Sequence, residues 1–281
     1  MTMRYGVTVP DVEARIFVSL AEEAERAGWD GVFVWDPVYG NDPWISLAAA
    51  AVRTERLRLG TMLTPLSRRR PWKVASEVMS LDRLSGGRAI LPVGLGAAGP
   101  EHTNSGFPRV GEETDRRIRA QLLDESLDIL DGLWRGEPFS YDGAHYHLRD
   151  VLLDPPIQRP RVPLWVVGAW PRAKSLRRAL RCDGIIPTKM PLDGESSEMT
   201  PDDIRQIAAY VAERRTLTTP FEIIWEEETP GDDPARAAEL VRPWAEAGVT
   251  WWLEAVWHTP ETEGGVAGMR QRIRQGPPRL A

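Results

Sequence analysis

The 281-residue sequence has one cysteine, four histidines and no apolar run long enough to cross a membrane. Cys182 alone cannot form an internal disulfide or a thiolate zinc site, and a lone cysteine most often packs as a small apolar residue. The first ten residues read as a strand, without the charged and then apolar segments of a signal peptide. These absences predict a cytoplasmic protein with no membrane partner.

An excess of positive charge is also absent. The formal net charge is -6, and acidic and basic residues alternate along the chain. A basic patch is the usual electrostatic footprint of a nucleic-acid partner, so none is expected here. The balance favours a protein that acts on a small-molecule substrate.

Several catalytic motifs are missing as well. No H-E-x-x-H or carboxylate cluster accompanies His102 or His258, while His145 and His147 fall in a hairpin far from the predicted strand ends, so no metal site is expected. No G-x-S-x-G nucleophile motif occurs. A chain this poor in reactive groups favours a cofactor that brings its own chemistry.

Residues 57–96 predict strand, turn, helix and strand. The first strand is expected to stop at Thr64-Pro65, because proline has no N–H for the ladder. A helix then begins near Pro71 and ends at Gly86-Gly87. The second strand opens into Gly94-Leu95-Gly96, where a flat or phosphorylated ligand could approach the backbone.

The same alternation covers the whole chain, with eight predicted strands, each followed by a helix. It predicts an α/β fold, a (β/α)8 TIM barrel forming a single domain over residues 1–281. An open doubly wound sheet is the alternative, but the expected G-x-G-x-x-G after the first strand is absent at Val9-Pro10-Asp11. Asp142-Gly143 predicts a hairpin within an insertion, about 139–163, between helix four and strand five.

In such a barrel the active site lies at the carboxyl ends of the strands. The candidate positions there are Pro10, Asp36, Thr64, 94–97, 168–170, Thr188-Lys189, 226–228 and Trp257-His258. Gly168-Ala169, before a helix near Arg172, could direct N–H groups at an anion, although such glycines equally serve in turns. Arg68-Arg69-Arg70 with Lys73 is either an anion site or a turn paired with nearby carboxylates.

The block TPLxRRRPWKxAxExxxLDRLSGGR, followed by a strand and GxG, resembles the luciferase-like monooxygenase superfamily. The segments AEEAERAGWDGVFVWD, LLDESLDILDGLWRGEPFSYDGAHYHL and PPIQRPRVPLWVVGAWP extend the resemblance over nearly the whole chain. It implies a barrel that holds FMN, or the deazaflavin coenzyme (F-420), across the strand ends. It also implies a non-prolyl cis peptide within residues 62–64.

Carried over by position, the resemblance implies a set of cofactor-binding residues. Those that border the ring are Thr64, Gly94, Leu95 and Gly96, and those near the phosphate are Gly168, Ala169, Thr188 and Lys189. Asp36 and Met62 complete the set of cofactor-binding residues. A family histidine near strand two has no counterpart, because Asp36-Pro37 occupies that place. Glu101 and His102, with His258 as the other candidate, are then the expected catalytic residues.

The resulting hypothesis is a flavin-dependent monooxygenase that uses reduced FMN and O2 on a small organic substrate, with a separate flavin reductase and a homodimer as family features. One alternative is a deazaflavin-dependent oxidoreductase that transfers hydride. The other is a degenerate barrel that binds a flavin or a partner without catalysis.

Overall fold

The structure, a computed structural model, describes residues 3–96, 108–190, 198–255 and 265–280. Nine parallel strands form one sheet, and two antiparallel strands form a separate hairpin. Every strand of the large sheet except β3 leads into a helix of the outer layer. The strands are β1 (Arg4–Val9), β2 (Gly31–Val34), β3 (Arg58–Thr61), β4 (Thr64–Pro65), β5 (Leu91–Gly94), β6 (Phe139–Asp142), β7 (His147–Val151), β8 (Leu164–Trp170), β9 (Gly184–Lys189), β10 (Glu222–Glu227) and β11 (Trp251–Ala255).

The eight α-helices alternate with these strands in chain order. They are α1 (Ala14–Ala27), α2 (Pro43–Ala51), α3 (Pro71–Leu84), α4 (Arg116–Leu133), α5 (Ala173–Ala179), α6 (Pro201–Arg214), α7 (Pro234–Ala247) and α8 (Gly265–Gln275). Local signals start and stop them. The Asp42 carboxylate accepts hydrogen bonds from the N–H groups of Trp44 and Ile45 at the start of α2, and Gly28 ends α1 in the left-handed region, with φ of 88°.

The large sheet closes on itself. Its strand order is β3-β2-β1-β11-β10-β9-β8-β5-β4, and a parallel bridge between Leu59 and Ala89 connects β3 to the residues just before β5. The predicted α/β barrel of eight strand-and-helix units is therefore confirmed.

One strand differs from its prediction. The third strand is divided into β3, which pairs with β2, and β4, which pairs with β5. A cis peptide between Met62 and Leu63 lies between the two, within the 62–64 range that the family resemblance implied. Strand pairing ends at Thr64-Pro65, as expected, but these two residues pair with Val93 and Gly94 of β5 and not with β2.

The barrel interior is filled by large apolar side chains, and small residues make room for them. The interior cluster consists of Phe33, Met62, Ile90, Trp165, Ile186, Ile224, Trp251 and Leu253. A Cβ added at Gly6 would lie 2.6 Å from Leu253 Cδ2, and one at Gly60 would lie 2.7 Å from the Ile90 carbonyl. Glycine at these two positions lets the rings cross the barrel axis.

The hairpin of β6 and β7 lies between α4 and β8, within the predicted insertion. Glu125 of α4 holds its turn, because the carboxylate accepts the N–H groups of Ala144, His145 and Tyr146. Asp82 of α3 holds the returning chain through the N–H groups of Ile157 and Gln158. The insertion is thus attached to the outer helices α3 and α4, and Gln158 also donates to the carbonyl of Ala89 just before β5.

Candidate active site

A cavity of about 550 Å³ lies at the carboxyl ends of the barrel strands. Pockets of about 300–1,000 Å³ are usual for small molecules and cofactors. The lining residues come from the ends of several strands and from α4 and α5, and they are Trp35, Asp36, Pro37, Val38, Met62, Leu63, Pro65, Leu95, Gly96, Arg116, Leu123, Val167, Ala169, Ser175, Arg178 and Thr188. The location is the one that the strand-end argument predicted.

One wall of the cavity is apolar. Met62 and Leu63 stand at the break between β3 and β4, and Val167 faces them from β8. Gly94 does not line the cavity, but a Cβ there would lie 3.1 Å from both Leu63 Cδ1 and Val167 Cγ2. Glycine at 94 therefore lets these two side chains approach each other and form a flat apolar surface.

The second wall is more polar. The Ala169 N–H donates to Ser175 Oγ at 2.9 Å, so this N–H is not free for a ligand. Thr188 is exposed at the end of β9 and offers its hydroxyl. Helix α5 begins after Arg172 without a side-chain cap, which agrees with a helix start beside Gly168-Ala169. A ligand oxygen would be met here by a hydroxyl and by the start of α5.

Two arginines stand at the rim of the cavity. Arg178 donates from Nε and Nη2 to the carboxylate of Asp124, at 2.6 and 2.8 Å. Arg116 is exposed, and its Nη2 lies 3.1 Å from Met190 Sδ. Sulfur is a weak acceptor, so Arg116 retains donor capacity for an anionic group.

The arginine run after β4 is a buried ion-pair network. Arg69 donates from Nε and Nη2 to the Asp36 carboxylate at 3.1 and 3.0 Å, and Arg68 Nη2 lies 2.9 Å from Asp36 Oδ1. The Asp36 side chain is only 1% exposed. Of the two alternatives for the arginine run, the turn paired with carboxylates therefore holds for Arg68 and Arg69, although these ion pairs are buried. Asp36 lines the cavity, but its carboxylate is bound to the two arginines.

The structure brings six of the ten cofactor-binding candidates to the cavity. These are Asp36, Met62, Leu95, Gly96, Ala169 and Thr188. Thr64 is fully buried, and its hydroxyl lies 2.8 Å from that of Thr61. Lys189 donates to Asp203 Oδ2 at 2.7 Å, so its charge is already matched. Gly168 is also outside the lining. It packs against Ile185, since a Cβ at position 168 would lie 2.3 Å from Ile185 Cδ1.

The three catalytic candidates, Glu101, His102 and His258, lie outside the described residues, so their roles stay predictions. No group of three or more possible metal ligands occurs among residues 3–96, 108–190, 198–255 and 265–280. Within the same ranges no helix is long and apolar enough to span a bilayer.

Some lining residues were not predicted. Arg116 and Leu123 come from α4, and Ser175 and Arg178 come from α5. A search of strand ends cannot find them, because they lie on helices of the outer layer and not at the ends of strands. One available signal was the row of arginines that opens the long amphipathic helix after the glycine-rich exit.

Known proteins resemble this chain in sequence and in fold. Two curated relatives are named F420-dependent glucose-6-phosphate dehydrogenase. The one from Beutenbergia cavernae is 32% identical over 266 residues, which cover 89% of this chain and 74% of the relative. The one from Tsukamurella paurometabola is 30% identical over 262 residues, which cover 89% of this chain and 75% of the relative. Among solved structures, an F420-dependent secondary alcohol dehydrogenase aligns with a TM-score of 0.74 at 16% identity, covering 99% of this chain and 100% of that chain.

A second solved structure has a different cofactor. The FMN-bound oxygenating constituent of 3,6-diketocamphane monooxygenase from Pseudomonas putida has a TM-score of 0.70 at 16% identity, with coverage of 98% and 97%. At such identities the two structures show a shared fold. The family model described as luciferase-like monooxygenase matches residues 3–272. The chain therefore belongs to the luciferase-like monooxygenase family, whose oxidoreductase character it shares.

Proposed function

We propose that this protein is a deazaflavin-dependent oxidoreductase that transfers hydride between the F420 coenzyme and a small organic substrate. The observation that supports this most strongly is the pair of relatives at 32% and 30% identity, each aligned with 89% of this chain and each named as F420-dependent. This choice reverses the order of the two cofactor hypotheses that the sequence suggested.

The residues of the cavity fit such a coenzyme. Met62, Leu63 and Val167 give a flat ring an apolar surface, and Arg116 at the rim suits the anionic phosphate that follows the ring. When bound, the deazaflavin supplies a two-electron hydride acceptor or donor. The protein orients the substrate against the ring and excludes water from it.

A flavin monooxygenase that uses reduced FMN, O2 and a separate reductase is the second candidate. The fold likeness to an FMN-bound monooxygenase favours it, and the same apolar surface would accept FMN. A non-catalytic barrel is less favoured, because about 550 Å³ of the site is open space and not filled by the chain's own side chains.

Anaerobic titration with each cofactor separates these functions. We expect the deazaflavin to bind with a change in its fluorescence, and to lose its oxidised absorbance when an alcohol-bearing substrate such as a sugar phosphate is added. Arg116→Gln should weaken coenzyme binding several-fold. Tight binding of reduced FMN with O2-dependent turnover, and no reduction of the deazaflavin, would select the monooxygenase instead.

We also propose a homodimer that uses the outer face of α2. Ile45 and Val52 on this face are 67% and 63% exposed, which is unusual for large apolar side chains. A charged substitution, Ile45→Lys, should convert the dimer to a monomer in light scattering. An unchanged mass would place any interface elsewhere. The cytoplasmic location stays a prediction.

A further inference from the structure

A carboxyl group lies on the inward face of the barrel, toward the carboxyl end of β10. Residues alternate across a strand, so Glu226 shares the inner face of β10 with Ile224, which packs against Trp251 and Leu253 in the interior cluster. Glu226 pairs with Leu253 of β11, and β10 pairs with β9 nearer its start, at Glu222–Gly184 and Ile223–Ile185. Glu226 is not itself among the residues that line the cavity, although residues of the neighbouring β9 are. Thr188 lines the cavity.

Glu226 differs from the other buried acids in its partners. Asp36 is paired with Arg68 and Arg69, and Glu254 with Arg272. In the described ranges the hydrogen-bond partner of Glu226 is the Thr8 hydroxyl of β1, which donates to Oε1 at 3.2 Å, and no cation pairs with its carboxylate. Burial therefore raises the pKa of Glu226 to about 7.

The charged groups of the neighbouring strands are occupied elsewhere. Lys189, at the end of β9, is bound to Asp203, and Glu254 of β11 lies on the other face, bound to Thr229 and Arg272. Glu222, at the opposite end of β10, is paired with Arg4. Among the described residues, the Thr8 hydroxyl is the polar group that contacts the Glu226 carboxylate. The pKa of Glu226 is thus set by burial, which raises it, and by the Thr8 hydroxyl, which lowers it.

Hydride transfer from an alcohol requires such a group. A bound oxidised deazaflavin would take up the hydride as the carbon–hydrogen bond of the alcohol breaks, and the O–H bond would break as the carbonyl forms. The hydroxyl proton must go to a base, and a carboxylate with a pKa near the working pH suits that task. Asp36 cannot serve, because its carboxylate is held by two arginines.

We propose that Glu226 accepts this proton, and that Thr8 positions its carboxylate on the inward face of the barrel near the carboxyl ends of β1 and β10. The assignment rests on the proposed hydride-transfer function. Glu226 belongs to the strand-end candidates 226–228, for which no chemical role could be predicted from the sequence. In the reverse direction the protonated Glu226 returns the proton to the carbonyl oxygen as hydride arrives at the carbon.

The test compares Glu226→Gln with Glu222→Gln, a matched change on the same strand and face at the opposite end of the barrel. We expect Glu226→Gln to slow single-turnover hydride transfer by about 100-fold or more, since a positioned base contributes about 10²–10⁴-fold. Its rate should also lose the rise with pH through about 7 that the unchanged protein shows. Coenzyme affinity should stay within a few-fold in both variants, and Glu222→Gln should keep the rate and its pH profile.

Thr8 is tested as a positioning residue. Thr8→Val should shift the pH inflection of the rate upward, because the carboxylate loses the hydroxyl that stabilises it, and Thr8→Ser should restore the inflection. An unchanged profile in Thr8→Val would remove Thr8 from the proposal.

A stability measurement needs no turnover. The folded-state pKa of Glu226 lies above its unfolded value of about 4.5, so the folded protein binds more protons between these values. The free energy of unfolding should fall as pH rises through this window, and the fall should be smaller in Glu226→Gln. If the unchanged protein fails to reduce the deazaflavin, the proposed function fails. If it reduces the coenzyme and Glu226→Gln is as fast with the same pH profile, Glu226 is not the base.

Discussion

The two ends of the barrel are built differently. At the amino ends of the strands, Trp165 and Trp251 lie with ring centroids 5.3 Å apart, and the cavity is only about 220 Å³. Arg4 there is paired with Glu222. At the carboxyl ends the cavity is about 550 Å³, and the buried acid Glu226 has a threonine as its partner.

The difference shows how one barrel separates stability from chemistry. Large rings fill the axis at one end, where each filled volume adds to the free energy of unfolding. Smaller residues and Gly94 leave space at the other end, where an acid without a counter-charge can change its protonation state near neutral pH. Substitutions at the two ends should therefore affect different measurements.

The largest effect on stability is expected at the closed end. Trp165 is 1% exposed, and Trp165→Ala should lower the free energy of unfolding by about 3–5 kcal/mol, the usual cost of removing a buried tryptophan. Urea denaturation measures this. Trp72→Ala is the control, since Trp72 is 39% exposed and its removal should cost far less. Equal losses in the two variants would contradict the comparison.

The buried ion pairs beside the open end come next. Asp36→Asn leaves Arg68 and Arg69 without their shared counter-charge and should cost about 3 kcal/mol of unfolding free energy. Asp202→Asn removes an exposed pair with Arg205 and should change stability by less than about 0.5 kcal/mol. If Asp36→Asn lowered the unfolding free energy as little as Asp202→Asn does, the ion pairs of Asp36 would not stabilise the fold, and the contrast with Glu226, whose partner is Thr8, would be lost.

A smaller effect, on binding and not on folding, is expected at the apolar wall. Val167→Trp would fill part of the cavity and should raise the Kd for the deazaflavin at least tenfold, or about 1.4 kcal/mol. Fluorescence titration measures the Kd. Ile90→Val at the closed end should leave the Kd unchanged, and an equal loss of affinity there would show that the two ends are not independent.

The smallest effect is expected for the exposed pair at the closed end. The Arg4 side chain is 51% exposed, and Arg4→Gln should change the unfolding free energy by less than about 1 kcal/mol, because solvent screens the pair with Glu222. Thermal unfolding at low and high salt checks this. A loss above about 2 kcal/mol would give this pair a structural role that its exposure does not suggest.

Much of the fold could be predicted because its signals are local. Alternating patterns located the strands, and caps such as Asp42-Pro43 located helix starts. The division of the third strand could not be predicted, since the switch of partner from β2 to β5 depends on how the barrel closes.

The site was predicted in part for the same reason. Strand ends identified Asp36, Ala169 and Thr188, which line the cavity, and the family resemblance added Met62. The engagement of Lys189 by Asp203 could not be foreseen, because Asp203 reaches it from α6, where it also caps the helix. Arg116 was missed because the sequence does not show where α4 packs over the barrel.

The attachment of the hairpin by Glu125 has a consequence for how this chain can be altered. One carboxylate holds the turn of the hairpin from α4, and none of the hairpin residues lines the cavity. Its exposed turn at Asp142 and Ala144 could therefore be replaced in the laboratory by a binding loop or an affinity tag without touching the cavity, whereas Tyr146 and Leu148 are buried in the core and have to be kept.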